Sequence, residues 1–167
     1  MKELFYFIMP WEPSDILVAG PAGAVSRIDF LRGRTPEEAL ASLPPGWSPC
    51  LEPAFLPGLQ EQLRRYLAGE PVEWKVRIEL AGGTDFQRAV WRELQKIPYG
   101  RTVSYGEIAA RLGKPGAMRA VGGANGANPL PIIIPCHRVV AAAGGLGGYG
   151  GGLDIKKALL RLEGASL

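Results

Sequence analysis

Residues 104–128 read SYGEIAARLGKPGAMRAVGGANGAN, which predicts two short helices joined by a turn that contains proline and glycine. Ser104 and Glu107 have the spacing of a capping box, which begins a helix, and Gly113 is typical of a helix end. The second helix should end at Asn128, because the proline that follows disfavours helix at the residue before it. Such a pair has the helix-turn-helix shape, although many helical hairpins bind nothing.

The second of these helices is composed mostly of small residues. Apart from Met118, Arg119 and Val121, its side chains are those of Ala, Gly and Asn. Gly122 and Gly123 each cost up to about 1 kcal/mol relative to alanine inside a helix, so a close approach should compensate for them. Two interpretations are open: tight packing on another helix, or a helix lying against a nucleic-acid groove.

The distribution of charge favours the second interpretation without deciding it. Residues 1–83 contain 8 Lys and Arg against 11 Asp and Glu, whereas residues 84–167 contain 11 against 5. A basic half suits an anionic partner such as nucleic acid, but it also suits an ordinary solvated surface.

The chain is predicted to form two domains, residues 1–83 and 84–167, divided after the Gly82-Gly83 pair. The first has alternating patterns that predict four strands, FYFIMP, DILVAG, AVSRIDFL and VEWKVRIEL. A helix from Thr35 to about Leu43 and a second in LQEQLRRYLAG are expected, with an irregular connector in PPGWSPCLEPAFLPG. The predicted class is α+β: a small N-terminal α/β domain with an antiparallel sheet, and a mostly helical, winged-helix-like C-terminal domain with the helix-turn-helix.

Residues 132–140 read IIIPCHRVV, and the three isoleucines predict a strand buried on both faces that ends near Pro135. A glycine-rich loop follows, with Tyr149 as its large side chain, and then a helix with Asp154 as its expected N-cap. The loop lacks the phosphate-binding motif GxxxxGK[ST], and we expect it to form the rim of a pocket.

Cys136 is followed by His137, the only histidine of the chain, and by Arg138. A free cysteine is more often a small buried hydrophobe than a nucleophile, but a reactive one needs an adjacent base or a positive environment, and both are here. Neighbours in an extended chain point to opposite sides, so the thiol and the imidazole would need a turn or a bridging water. Glu163 is the candidate for the acid that orients the imidazole.

Several classes of protein are excluded by what the chain lacks. Two cysteines and one histidine are too few for a structural zinc site, and no apolar run approaches the roughly 20 residues of a membrane span. A cytoplasmic protein without metal or cofactor is expected. Acyl transfer by a thiol and displacement on an alkyl carbon both remain open, and a nucleic-acid substrate would require base flipping.

The segment NPLPIIIPCHRVV closely resembles the active-site segment of the O6-alkylguanine-DNA alkyltransferases, also called methylated-DNA–protein-cysteine methyltransferases. The similarity continues, in the order of that family, through TDFQRAVWRELQKIPYGRTVSYGEIAARLG, MRAVGGANGANP, GGYGGG and RLEG. It covers residues 84–167, whereas residues 1–83 are similar only in general character to the variable N-terminal domain of the family.

The resemblance implies a protein that binds duplex DNA through the minor groove, flips out O6-alkylguanine and transfers the alkyl group irreversibly to Cys136. His137 would act on the thiol through a water, and Glu163 would orient the imidazole. Asn128 would hold the turn between the recognition helix and the active-site segment. Tyr105 would assist flipping and hydrogen-bond or protonate the leaving guanine.

The resemblance also implies a set of DNA-binding residues. Arg119 would enter the duplex as the base leaves, and Tyr149 would pack on the base. Main-chain groups near Val139 would bind the edge of the base, and the small residues Ala120 and Gly123 beside the arginine suit a minor groove.

The implied partner is double-stranded DNA that contains O6-alkylguanine, with O4-alkylthymine as a further substrate, bound by a monomer. Gly150 follows Tyr149 where some relatives have a serine, which removes one expected hydrogen bond to O6. The principal rival is a binding module, because alkyltransferase-like relatives have another residue at the cysteine position and only flag lesions. Cys136 argues against that alternative.

Overall fold

The computed structural model describes residues 1–166, which form two compact units, Met1–Ala81 and a second that starts at Gly82. The sequence placed this division after Gly83, at the end of the same glycine pair. Both glycines have positive φ, of 105° and 89°, a conformation that side chains with a Cβ rarely adopt.

The first unit contains one sheet of four strands. They are β1 (Lys2–Met9), β2 (Ile16–Gly20), β3 (Arg27–Phe30) and β4 (Trp47–Leu51). Their order is β3-β2-β1-β4, with antiparallel pairing of β2 to both neighbours and parallel pairing of β4 to β1. The sheet is therefore mixed, and the prediction of an antiparallel sheet is wrong for β4.

Strand β4 lies inside the proline-rich stretch that was predicted to be an irregular connector, and that prediction is wrong. Pro49 occupies this strand opposite Leu4. Proline is tolerated there because β4 is an edge strand, and the N–H groups on its outer side have no partner strand to bond. The predicted strand VEWKVRIEL is also wrong, since within it only Ile78 forms an isolated bridge, to Val25.

Two helices accompany this sheet, α1 (Pro36–Leu40) and α2 (Pro57–Leu67). The Thr35 side chain accepts a hydrogen bond from the Glu38 backbone N–H at the start of α1, as the capping pattern predicts, although the helix ends before Leu43. The central strand β2 is buried along its whole length, which places the core of this unit on both faces of the sheet.

The second unit is mostly helical, as predicted. Its helices are α3 (Asp85–Leu94), α4 (Tyr105–Arg111), α5 (Met118–Gly126) and α6 (Leu153–Leu162). Two short strands, β5 (Val103–Ser104) and β6 (Val139–Val140), pair in parallel. Helices α3, α4 and α5 pack on one another, and α4 and α5 are the two helices expected from residues 104–128.

Capping boxes begin α3 and α4, and the box of α4 is the one that the spacing of Ser104 and Glu107 predicts. The hydroxyl of Ser104 accepts from the backbone N–H of Glu107 at 3.1 Å, and the Glu107 carboxylate accepts from the Ser104 N–H at 2.6 Å. Helix α6 differs from expectation, because its N-cap is Gly152, with φ of 102°, and Asp154 lies inside the first turn. A carboxylate in that position still interacts favourably with the positive end of the helix dipole.

The strand predicted for the three isoleucines, Ile132–Ile134, is not a strand. These residues are buried, as expected, but the chain turns, with a hydrogen bond of 2.8 Å from Ile134 N–H to the Leu130 carbonyl and a φ of +75° at Ile132. Asn128 bonds both sides of the turn: its amide donates to the Ile134 carbonyl at 2.7 Å, and its oxygen accepts from Leu130 N–H at 3.0 Å. Among the described residues these isoleucines pair with no strand, and the Asn128 side chain satisfies backbone groups that a ladder would otherwise satisfy.

Cys136–Arg138 then form one turn of 3₁₀ helix before β6. Within residues 1–166, no helix has the length and apolar character needed to cross a bilayer.

Candidate active site

A pocket of about 540 Å³ opens in the second unit between α5, the start of α4 and the glycine loop, residues 141–152. Its lining residues are Tyr105, Gly106, Met118, Arg119, Gly122, Asn125, Gly126, Ala141, Ala142, Gly148, Tyr149 and Gly150. The lining is mostly apolar and small, with Arg119 as its charged side chain.

Cys136 lies behind the Tyr149 side of this pocket and is 3% exposed. Its Sγ is 3.7 Å from the Tyr149 hydroxyl, to which the thiol donates. Burial raises the pKa of the Cys136 thiol above its ordinary value, and hydrogen bonds from Asn128 and Tyr149 and the charge of Lys156 act in the opposite direction. The thiolate, once formed, therefore has donors and a cation already in place.

His137, Arg138 and Glu163 form a buried polar cluster that we call the Glu163 cluster. The carboxylate, carried by the C-cap residue of α6, lies 2.7 Å from the His137 Nε2. Arg138 donates to both carboxylate oxygens, from Nε at 2.9 Å and from Nη2 at 2.8 Å. This bidentate ion pair, together with a bond of 3.2 Å from the Gly100 N–H, neutralises and fixes a carboxylate that has no exposed side-chain surface.

Burial lowers the pKa of His137 below its ordinary value, and the Glu163 carboxylate only partly opposes this effect. The imidazole is therefore neutral at pH 7. A carboxylate can only accept hydrogen bonds, so Nε2 carries the proton and Nδ1 is the basic nitrogen. The contact between His137 and Glu163 that the sequence predicted is present, and it sets this tautomer.

The 3₁₀ turn explains why Cys136 and His137 are neighbours yet enter different surroundings. The thiol faces Tyr149 on the pocket side, whereas the imidazole, with no exposed surface, contacts the end of α6. The amide of Asn125 donates to the Cys136 carbonyl at 3.2 Å and ties this turn to α5.

The residues predicted to contact DNA occupy two kinds of position. Arg119, Ala120 and Gly123 are exposed on α5, and the arginine also lines the pocket. Tyr149 lines the pocket, whereas the Val139 side chain is fully buried behind it.

Tyr105 lines the pocket from the start of α4, and its hydroxyl donates to the Gly148 carbonyl at 3.3 Å. Burial, and next the neighbouring Cys136, raise the pKa of this phenol. A methyl group added at Gly147 would lie 3.0 Å from the Tyr105 ring, so the loop needs a glycine where it crosses the tyrosine.

The small residues of α5 are not explained by helix packing. A Cβ built on Gly122, Gly123 or Gly126 would meet no atom within 4 Å. Of the two interpretations of this helix, tight packing against another helix is therefore not supported at these glycines.

Sequence reasoning missed Lys156 and Asn125. The lysine is fully buried on α6 between Ile155 and Leu159, and its position on the apolar face was the signal that could have revealed it. Asn125 is likewise a polar residue on the buried face of α5, next to Ala124.

The second unit thus places a buried cysteine next to a pocket that is lined partly by a helix of small residues. Residues 85–165 match the family described as 6-O-methylguanine DNA methyltransferase, DNA binding domain. The methylated-DNA–protein-cysteine methyltransferase of Methanosarcina acetivorans is 43% identical over 162 residues, which are 97% of this chain and 99% of that protein. The protein of the same name from Mycolicibacterium paratuberculosis is 57% identical over 118 residues, 71% of this chain and 70% of the relative.

The chain is also similar in structure to solved proteins of this kind. The crystal structure of the Mycobacterium tuberculosis O6-methylguanine methyltransferase has a TM-score of 0.83 at 43% identity, covering 96% of this chain and 93% of the other. The structure of Mycobacterium tuberculosis OGT in complex with DNA has a TM-score of 0.82 at 44% identity, covering 96% and 92%. The chain belongs to the methylated-DNA–protein-cysteine methyltransferase family.

Proposed function

We propose that this protein repairs DNA by transferring the alkyl group of O6-alkylguanine to Cys136 in a single irreversible step. The observation that carries the proposal is the placement of this buried thiol against Tyr149 at a pocket of about 540 Å³, with a histidine and a glutamate in contact behind it. The family of the chain and the names of its relatives support the same activity.

The reaction is a displacement on the alkyl carbon. The bond between that carbon and guanine O6 breaks as the bond to the Cys136 sulfur forms, so the thiol becomes a thioether and guanine leaves. The thiol proton passes through a bridging water to the basic Nδ1 of His137, and the leaving guanine takes a proton from Tyr105. A thioether is stable in water, so each molecule is proposed to act once.

Glu163 acts through the imidazole rather than on the substrate. Because Arg138 and the Gly100 N–H already compensate its charge, the carboxylate orients His137 without taking its proton. A neutral imidazole with a fixed tautomer is the form that can accept the proton of a thiol.

Double-stranded DNA is the proposed partner, bound through its minor groove by a monomer. The exposed α5 leaves space above its glycines, and its arginine lies at the mouth of the pocket. The flipped base would enter between Tyr149 and Tyr105, while Arg119 fills the vacated space in the duplex. The complex of the M. tuberculosis OGT with DNA supports a DNA partner for this chain as well.

The test is the intact mass of the protein after incubation with a duplex containing O6-methylguanine. We expect the mass to increase by one methylene unit, once per molecule, with peptide mapping placing the change on Cys136. Cys50→Ser should be methylated like the unchanged chain, because that half-exposed thiol is in the other unit. Tight lesion binding with no change of mass would replace the transferase by a lesion-binding module.

A further inference from the structure

Lys156 is a buried lysine that the proposed reaction does not use. It has no exposed surface and lies on α6 among apolar residues such as Ile155 and Leu159. An ammonium group is strongly hydrated in water, so its complete burial is unfavourable unless protein groups replace that hydration. The identity of those groups indicates what the lysine does.

The three N–H bonds of the ammonium group are matched by three carbonyls. Nζ donates to the carbonyl of Val139 at 2.6 Å, to that of Gly148 at 3.3 Å, and to that of Leu146. The first carbonyl follows the cysteine turn, and the other two belong to the glycine loop. One cation therefore connects the loop to the segment that carries Cys136.

The same ammonium lies beneath both tyrosines of the pocket. Nζ is 5.9 Å from the ring centroid of Tyr105 and 5.9 Å from that of Tyr149, within the range of cation–π attraction. The Tyr105 hydroxyl donates to the Gly148 carbonyl, which also accepts from Lys156. The lysine, the loop and the two rings thus share one set of contacts.

The glycine loop is partly exposed and consists mostly of glycine. Residues 142–145 are exposed, and Gly144 and Gly147 have positive φ and no side chain to pack. A loop of this composition is conformationally costly to order, and a fixed contact to an adjacent helix offsets that cost.

We propose that Lys156 is a positioning residue whose ammonium holds the glycine loop and the two tyrosines in place around the flipped base. It touches neither the alkyl group nor the thiol. The part of the proposal that concerns the base rests on the proposed function, whereas the hold on the loop does not.

The primary test compares backbone hydrogen exchange in the full chain and in Lys156→Met, with Lys157→Met as the matched control. Lys157 is the neighbouring lysine of α6 and is exposed. The amides of Ala141, Gly144 and Gly152 make backbone hydrogen bonds in or at the ends of the loop. We expect Lys156→Met to speed the exchange of these loop amides at least about fivefold. The exchange rates of the α2 amides should stay the same in this variant, and Lys157→Met should leave the loop amides unaffected.

The unchanged chain provides a second test that needs no substitution. Burial lowers the pKa of Lys156 to about 8, so the ammonium becomes an amine with one fewer N–H as the pH rises through that value. The hydrogen-exchange protection factors of the loop amides, which are corrected for intrinsic exchange, should therefore fall in the wild-type protein between about pH 7 and 9.5. In Lys156→Met they should be independent of pH.

Burial moves the pKa values of three groups that face the ammonium away from about 8. Cys136, Tyr105, Tyr149 and His137 surround it, and Asp154 and Lys157 lie on its own helix. The pKa values of Cys136 and Tyr105 are raised above 9.0 and 10.0, and that of His137 is lowered below 6.5.

Transfer to an O6-methylguanine duplex supplies the functional measurement. Lys156→Met should raise the half-saturating DNA concentration and lower the maximal rate of transfer. The difference in rate between this variant and the wild-type protein should shrink above about pH 8, because Lys156 of the wild-type protein loses its proton there. Lys157→Met should not show this pattern.

Two results would overturn the proposal. The first is that the loop amides of Lys156→Met exchange as slowly as those of the wild-type protein, while the Cys136 thiol titrates at a higher pH than in the wild-type protein. This result would mean that the cation acts on the thiol alone. The other is loop protection in the unchanged chain that does not vary with pH. If no chain transfers the methyl group, the proposed function fails, but the exchange measurements still decide the role of the lysine.

Discussion

The Glu163 cluster and the exposed face of α5 belong to the same unit but differ in burial, charge and side-chain size. In the cluster, a carboxylate with no exposed surface is bonded by an imidazole, a guanidinium and a backbone N–H. On α5, glycines face open space beside one exposed arginine. A fixed network suits proton transfer in one geometry, and an open surface suits a partner that must approach closely. The comparison suggests that chemistry and recognition depend on separate residues.

The largest effect should come from Cys136→Ala. We expect complete loss of alkyl transfer because no other thiol is in the second unit, while salt-sensitive duplex binding is retained. Transfer is measured by intact mass and binding by fluorescence anisotropy at two salt concentrations. Loss of binding as well would break the proposed separation and would make the cysteine mainly structural.

Glu163→Ala should be the most destabilising change in the cluster. It leaves Arg138 and His137 buried without the carboxylate, and removing one partner of a buried ion pair costs roughly 3–5 kcal/mol of unfolding free energy. Glu93→Ala is the control: it removes a contact to the exposed Lys96, for which a change of about 0–1 kcal/mol is expected. Denaturant unfolding monitored by circular dichroism measures both, and equal losses would contradict the buried network.

Arg119→Ala tests the recognition side. If the arginine fills the space of the flipped base, lesion capture should fall about tenfold, or about 1.4 kcal/mol, with a smaller loss on undamaged duplex. The comparison requires titrations of both duplexes at one salt concentration. A loss of the same size on both would show that the side chain acts only as a surface charge.

The pH dependence of stability isolates His137, because the chain contains no other histidine. Its pKa is lowered in the folded protein, so the unfolded chain binds more protons as the pH falls below about 6.5. Folding stability should therefore decrease in that direction, by up to about 1.4 kcal/mol per pH unit. His137→Gln should remove this slope between about pH 5.5 and 6.5. A slope that persists in the variant would assign it to carboxylates instead.

Tyr149→Phe should have the smallest effect. It removes the hydroxyl beside the Cys136 sulfur but keeps the ring that lines the pocket, so transfer should slow by roughly 0.5–1.5 kcal/mol of activation energy, the net value of one hydrogen bond. Single-turnover rates at saturating lesion measure this change. If lesion binding became weaker while the transfer rate stayed the same, the Tyr149 hydroxyl would act in recognition of the base rather than in the chemical step.

Local signals predicted the parts of the fold that depend on neighbouring residues. The N-cap expected at Thr35 and the capping box expected at Ser104 depend only on residues of the first helical turn, and both are present. The strand expected at Ile132–Ile134 is wrong because β-branched residues favour a strand only where a partner strand exists, and Asn128 satisfies the backbone instead.

The candidate site shows the same limit. The contact of His137 with Glu163 was predicted from the chemistry that an imidazole needs, and the two residues do meet. The place of Lys156 on the apolar face of α6 was a signal, but its partners could not be predicted because they are backbone carbonyls, which no side-chain pattern identifies. The bidentate hold of Arg138 on the same carboxylate was missed for a related reason, since the arginine had been assigned only a general positive charge.

The hydrogen bond between Trp91 and α5 gives the protein an intrinsic optical probe. The indole N–H of this α3 residue donates to the Ala124 carbonyl at 2.8 Å, so the ring is fixed to the backbone of the glycine-containing helix. The other three tryptophans, Trp11, Trp47 and Trp74, all belong to the first unit. If they are replaced by phenylalanine, the emission wavelength of the remaining indole reports displacement of α5 directly, without an attached dye.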